Sequence, residues 1–178
     1  MIIVVGINWV TVGVIYCPKK NVYKGENMSR TDLTKGRYSE NNREYFITFV
    51  CKDRINIFSD ENLARIFCQT IAVNETQCDC VWLTWVLMPD HFHGILKLSD
   101  KCSLSQVIKH LKGSTARKIN VELVQSQTIW QQGFFDRALR KCEDRKQVAR
   151  YIVANPLRKK IVTNIGDYAY WDSIFLHE

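Results

Sequence analysis

Proline, glycine and internal repetition are scarce in this chain of 178 residues. The three prolines and eight glycines are too few for a collagen-like repeat. With 46% apolar and 24% charged residues, the chain can bury enough surface to fold, which excludes global disorder. The length suits a single domain with one core.

A membrane-spanning segment and a regular cysteine framework are also missing from the pattern. The opening MIIVVGINWVTVGVIY is short for a membrane span, and no basic residue precedes it as in a signal peptide. We therefore expect no membrane anchor.

The seven cysteines are an odd number without regular spacing, which predicts reduced thiols, a cytoplasmic protein and no disulfide partner.

A second methionine, Met28, begins a stretch that is typical of a soluble start. We expect residues 1–36 to be an N-terminal extension outside the core, with 1–27 the product of a start codon assigned too early. Residues 37–178 are expected to form the single domain.

Positive charge is concentrated in one third of the chain. The segment 105–160 holds thirteen basic and four acidic residues, a net charge of +9, whereas the whole chain carries +7. Such a concentration is typical of a surface that binds a polyanion, either nucleic acid or an anionic membrane. A solvated basic surface without a partner is the other interpretation.

Hydrophobic periodicity predicts the element order β-α-β-β-α-β-α. In chain order the segments are EYFITFVC, LARIFCQTIAV, CVWLTWVLM, HFHGILKLS, LSQVIKHLKGSTARKINVELV with a possible break at Gly113, IWQQGFFDRALR, and EDRKQVARYIVA ending at Asn155-Pro156. This order predicts an α+β, ferredoxin-like fold: an antiparallel four-stranded sheet with helices on one face, followed by a C-terminal helix.

The sequence His91-Phe92-His93 is the sharpest chemical motif. Side chains alternate along a strand, so both imidazoles point to one face and Phe92 to the other. Two adjacent imidazoles can bind a metal ion. A zinc site with Cys78 and Cys80 is the rival, but a continuous strand would separate those thiols from His91 by about 26 Å.

Tyr151 and Asn155 lie four residues apart in the last predicted helix and therefore share a face. A phenol there could act as a nucleophile, and an amide oxygen could bind a metal ion. A packed tyrosine and a helix-terminal Asn-Pro are the structural interpretation of the same spacing.

Several linked blocks resemble a known family. MPDHFHGIL, LSQVIKHLKGSTARKIN, IWQQGFFDRALR, YIVANPLRKKIV and YWDS, in this order and spacing, resemble the REP-associated tyrosine transposases. These belong to the single-tyrosine HUH transposases and are related to the smallest insertion-sequence transposases. The resemblance spans about Tyr45 to Ser173.

The resemblance implies that His91, His93 and Asn155 bind a divalent metal, Mg²⁺ or Mn²⁺, and that Tyr151 is the catalytic nucleophile. It implies cleavage of single-stranded DNA beside a hairpin repeat through a 5′-phosphotyrosine. Insertion-sequence relatives typically carry Gln where this chain has Asn155. The protein would work as a monomer or a homodimer.

The basic segment fits this function as the DNA-binding surface. The residues expected to contact DNA are Lys109, Lys112, Arg117, Lys118, Arg137, Arg140, Arg150 and Arg158. Two alternatives remain open at this point: a protein that binds structured repeat DNA without cleaving it, and a metalloenzyme acting on a small anion.

Overall fold

The computed structural model describes residues 40–176. The expected N-terminal extension therefore lies outside the described residues. The strands are β1 (Glu44–Val50), β2 (Val81–Met88), β3 (His91–Lys97), β4 (Phe135–Ala138) and β5 (Trp171–Ser173). The helices are α1 (Glu61–Cys78), α2 (Leu104–Glu122), α3 (Arg145–Val153) and α4 (Asn155–Arg158).

The strands form one antiparallel sheet in the order β4-β1-β3-β2-β5. The predicted α+β class is confirmed, but the sheet has five strands instead of four. The additional strand, β5, spans only three residues, which is too short for alternation to reveal. It joins the edge of β2, where the hydroxyls of Thr84 and Ser173 lie 2.8 Å apart.

Side-chain caps define where helices α1 and α2 begin. The Asp60 carboxylate accepts hydrogen bonds from the amides of Asn62 and Leu63 at the start of α1. Ser103 and Gln106 form a capping box at the start of α2. These caps satisfy backbone donors that a helix leaves unpaired in its first turn.

Of the two predicted helix breaks, one is absent from the structure and the other is followed at once by further helical structure. Helix α2 runs through Gly113 without interruption. Helix α3 ends before Asn155-Pro156 as predicted, but helical structure resumes at once as α4. Proline is tolerated in the first turn of a helix because its missing N–H would have no partner there, so Pro156 can begin a new turn.

Helices α1 and α2 cover one face of the sheet and enclose the main core. Aromatic rings fill its centre. The rings of Phe49 and Phe92 are stacked with centroids 4.8 Å apart, and Phe67 of α1 lies 5.2 Å from Phe92. Two of the predicted helices therefore share one face.

Helix α3 packs against β2, β3 and β5. Its buried residues, Ala149, Ile152 and Val153, are not part of the α1–α2 core cluster. Strand alternation assigns His91 and His93 to the face opposite Phe92, and α3 covers part of that face. We call it the histidine face. Within residues 40–176, no helix is long and apolar enough to cross a membrane.

Two glycines provide a matched test of packing. A Cβ added to Gly94 would lie 2.9 Å from two ring atoms of Trp82 and 3.0 Å from Phe92, whereas a Cβ on Gly113 would meet nothing within 4 Å. Overpacking should make Gly94→Ala less stable by about 1–3 kcal/mol. Gly113→Ala should be more stable by about 0.5–1 kcal/mol, because alanine loses less backbone entropy in a helix.

Urea unfolding of both variants beside the parent protein measures these changes. A Gly94→Ala protein as stable as the parent would contradict the close packing of Trp82 over this strand.

Candidate active site

The two motif histidines lie side by side on β3. His91 is paired with Met88 of β2 and Val50 of β1, and His93 with Val86 and Thr48. The imidazole centroids are 4.7 Å apart, with the ring planes at 82°. The shared face that alternation predicts is thus present in the structure.

Each imidazole is oriented by a hydrogen bond to its Nδ1 atom. The Asp90 carboxylate accepts one from His91, and Thr48 Oγ1 lies 2.7 Å from Nδ1 of His93. Arg54 in turn donates to Asp90 at 3.2 Å. A partner on Nδ1 fixes the orientation of the ring, and Nε2 is then the ring nitrogen that remains to bind a metal ion.

The surroundings of both rings favour the neutral form. Burial lowers the pKa of His91 more than the hydrogen bond that His91 donates to Asp90 raises it. Burial also lowers the pKa of His93 to about 3, assisted by the nearby positive charges of His91, Arg158 and Arg54. A neutral imidazole is the form that binds metal ions, so these rings need not lose a proton near neutral pH.

Asn155 begins α4 and is 8% exposed. Its Nδ2 donates to the carbonyl oxygens of Tyr151, at 3.3 Å, and Ile152, at 2.8 Å. Among the described residues, Asn155 Oδ1 accepts no hydrogen bond. The amide therefore caps the last turn of α3 with its hydrogens and retains its oxygen for a ligand.

Tyr151 lies on α3 with 40% of its surface exposed. The guanidinium of Arg158 is 4.4 Å from the centre of the Tyr151 ring, in a cation–π contact. The charge of Arg158 also lowers the pKa of His93, and that of Lys159 lowers the pKa of His91. Arg158 thus contacts the exposed phenol, and its charge also acts on His93.

The predicted DNA-binding residues do not form one surface. Arg137, on β4, belongs to the histidine face because it is paired with Phe46, two residues from Thr48. Arg150 is exposed on α3, and Arg158 on α4. Arg140 follows β4 at the sheet edge, where its amide donates to Glu143. The four residues on α2 lie across the sheet from the histidines: Lys109, Lys112, Arg117 and Lys118.

Two of the three α2 lysines are engaged within the fold. The Lys112 ammonium donates to the carbonyl oxygens of Gln131 and Gly133, both at 2.7 Å, and lies 5.7 Å over the Phe49 ring. Burial lowers its pKa to about 8. Lys118 donates to Thr70 Oγ1 at 3.3 Å. Lys112 thus holds the loop before β4 against α2, and its contact with DNA stays a prediction.

The cysteines of the rival zinc site are at the far end of β2. Cys80 precedes Val81, the first residue of β2, whereas His91 is paired with Met88, its last. Burial raises the pKa of Cys78 to about 11 and of Cys80 to about 12, so neither is a ready thiolate ligand. Within residues 40–176, no group of three or more His, Cys, Asp or Glu side chains is arranged to hold a metal ion.

Sequence reasoning missed both residues that orient the imidazoles. Asp90 directly precedes the histidine motif, so its carboxylate is a signal that the sequence does contain. Thr48 lies on a different strand, and nothing in its own segment marks it. Only the pairing of β1 with β3 places it beside His93.

Comparisons with known proteins agree with the fold. The sequence profile of the IS200-like transposases matches residues 39–155. The structure of a REP-associated tyrosine transposase bound to a REP hairpin is similar with a TM-score of 0.66 at 20% identity, covering 76% of this chain and 79% of that one.

A second structure, of a protein from Deinococcus radiodurans R1 described as a transposase, has a TM-score of 0.46 at 23% identity. That match covers 66% of this chain and 94% of the other. No curated protein matches the sequence.

The two lysines at positions 109 and 112 provide a test of their different surroundings. Lys112→Met should lower the free energy of unfolding by about 1–3 kcal/mol, because two carbonyls lose a charged donor. Lys109→Met, at an exposed position of the same helix, should change it by less than about 0.5 kcal/mol. Urea unfolding of both proteins compares them, and equal stabilities would contradict a structural role for Lys112.

Proposed function

The chain belongs to the family of IS200-like transposases, and from this premise we propose that it is a metal-dependent endonuclease and strand transferase for single-stranded DNA. It cleaves DNA next to a hairpin repeat, and Tyr151 becomes joined to the 5′-phosphate. The fold that it shares with a REP-associated tyrosine transposase bound to a REP hairpin supports hairpin DNA as the partner.

The observation that carries this proposal is the orientation of the two imidazoles. Both Nδ1 atoms are engaged, by Asp90 and Thr48, so both Nε2 atoms are available on one face. A packing histidine would need no such pair of supports. Arg158 contacts the exposed phenol of Tyr151, and its positive charge lowers the pKa of His93.

The donor atoms fit a divalent cation. Nε2 of His91, Nε2 of His93 and Oδ1 of Asn155 would supply two neutral nitrogens and one amide oxygen. Nitrogen and oxygen donors of this kind suit Mn²⁺ or Mg²⁺, with remaining positions for water and phosphate. When bound, the cation would offset the negative charge of the scissile phosphate and polarise it.

Tyr151 Oη would attack phosphorus, forming a P–O bond as the bond from phosphorus to the 3′-oxygen breaks. The released oxygen takes a proton and leaves as a 3′-hydroxyl, and the phenol gives up its proton to solvent. In a second transfer, the 3′-hydroxyl of a DNA strand attacks the phosphorus of the phosphotyrosine and gives up its proton. The bond to Tyr151 Oη then breaks, the phenol regains a proton and the strands are joined. Arg158, stacked on the ring, supplies positive charge where the phosphate must approach Tyr151.

The basic residues divide into two roles under this proposal. Arg137, Arg150 and Arg158 would hold phosphates around the candidate active site; Arg137 lies on the histidine face, Arg150 is exposed on α3 and Arg158 contacts Tyr151. Lys109 and Arg117 are exposed on α2, across the sheet, where they would contact DNA outside that site. Contacts of either kind would make binding strongly salt-dependent.

The nucleophile can be tested with hairpin oligonucleotides taken from the DNA flanking the gene of this protein. In Mn²⁺ or Mg²⁺, the parent protein should give a protein–DNA band on a denaturing gel, and chelator should remove it. Tyr151→Phe should bind the DNA equally well and give no such band, because the attacking oxygen is absent.

Tyr170→Phe is the matched control. Tyr170 is half-buried near α1, on the other side of the sheet. Burial raises its pKa, the charge of Glu61 on α1 raises it further, and that of Arg65 lowers it. Its removal should leave the adduct unchanged. Tight, salt-sensitive binding without an adduct in the parent protein would overturn the proposed cleavage and favour a protein that only binds DNA.

The support given to His93 can be tested by metal affinity. Thr48→Val keeps the side-chain shape but removes the hydroxyl 2.7 Å from Nδ1. Loss of such a supporting hydrogen bond typically weakens metal binding by about 10-fold to 100-fold. Titration calorimetry with Mn²⁺ measures the change. Thr76→Val, on the exposed surface of α1, is the control, and equal affinities for the two variants would contradict this role of Thr48.

A further inference from the structure

We propose that Phe135 and Phe46 form a stacking platform for an unpaired base of the DNA strand that enters the candidate active site. The inference rests on the proposed function and specifies how the substrate is held beside the metal ligands. We call these two residues the aromatic platform.

The platform lies in line with the metal ligands across the sheet. Phe135 of β4 is paired with Thr48 of β1, which is paired with His93 of β3. Cross-strand partners point to the same face, so all three side chains belong to the histidine face. Two strand spacings, about 10 Å, separate Phe135 from His93.

The two platform rings differ in exposure, and the ring farther from His93 is the more exposed. Phe46 is half-buried, with its ring centre 5.8 Å from that of His93. Phe135 contacts Phe46 edge to face at 6.4 Å and remains 43% exposed. Helix α3 packs against β2, β3 and β5, away from β4. The platform is therefore accessible to a ligand that also reaches the histidines.

The positive charge beside the platform favours single-stranded nucleic acid as its ligand. Arg137 is paired directly with Phe46, and its side chain is 42% exposed in an ion pair with Glu143. A phosphate could share or replace that carboxylate, because it offers the same bidentate acceptor geometry. An aromatic surface next to an exposed guanidinium is the combination that binds single-stranded nucleic acid. A second copy of this basic chain would be repelled at the same position.

Stacking makes a specific prediction about the DNA. Every base has an aromatic face, so the platform should accept any base but not an abasic site. Specificity for a sequence would then come from other contacts. The platform would fix the position of one base next to the scissile phosphate, which is the alignment that in-line attack by Tyr151 requires.

The test uses the full chain with Tyr151→Phe, so that bound DNA is not cleaved. The probe is a hairpin oligonucleotide from the flanking DNA with 2-aminopurine placed at successive unpaired positions. Stacking on the platform should quench its fluorescence at one position. Phe135→Leu should abolish that quenching and weaken binding about tenfold, whereas Phe135→Trp should preserve both.

An abasic site at the quenched position should weaken binding to the parent as much as Phe135→Leu does. Combining the abasic DNA with Phe135→Leu should weaken binding little further than either change alone. Val121→Ala, at a 74% exposed position of α2, is the control for loss of exposed apolar surface. Urea unfolding shows whether each variant retains its stability, and rescue by Phe135→Trp separates stacking from folding.

The outcomes distinguish this inference from the proposed function. Unchanged quenching and affinity in Phe135→Leu, with normal adduct formation in proteins that retain Tyr151, would overturn the platform and leave the cleavage intact. Quenching that depends on Phe135, together with no adduct in proteins that retain Tyr151, would support the platform and overturn the cleavage. If Phe135→Leu instead converts a dimer to a monomer without affecting quenching, the surface is a subunit interface and the inference is wrong.

Discussion

The candidate site depends on the pairing register of β1 and β3. Phe49 lies opposite Phe92, and their stacked rings are almost fully buried beneath α1 and α2. A slip of one residue would turn Phe92 out of the core and His93 into it. Burial of each ring contributes about 1.5–3 kcal/mol against that slip. The same register places Thr48 opposite His93, so core packing on one face supplies the hydrogen bond that orients an imidazole on the other.

The sheet also divides the positive charge of the chain between two surfaces. The basic residues of α2 lie across it from those near α3 and α4, although one segment of sequence contains them all. At physiological ionic strength, electrostatic interactions between exposed charges decay over about 8 Å, which is less than the thickness of a sheet with a helix layer. Under the proposed function, charges on α2 would therefore attract a DNA strand to the molecule, but they would not stabilise the phosphate that is cleaved. That task depends on the few cations beside the histidines.

The sequence allows most of the fold to be predicted because its elements are long and periodic. Alternation also places His91 and His93 on a common face without knowledge of the sheet. The support from Thr48 could not be predicted, since it depends on the register between strands more than forty residues apart. The inward position of Lys112 was readable: buried Ile108 precedes it by four residues and buried Thr115 follows by three, so helical periodicity places it beside the core. A count of the charges in the segment does not distinguish Lys112 from its exposed neighbours.

The junction of α3 and α4 couples the proposed nucleophile to the proposed third ligand. Asn155 donates to the carbonyls of Tyr151 and Ile152, so the amide is fixed to the last turn of the helix that presents the phenol. Any shift of α3 would move both groups together. Their position relative to the histidines is therefore set by the packing of α3 on β2 and β3, where Ile152 is fully buried. A site built in this way keeps its geometry through core packing, because no flexible loop separates the two groups.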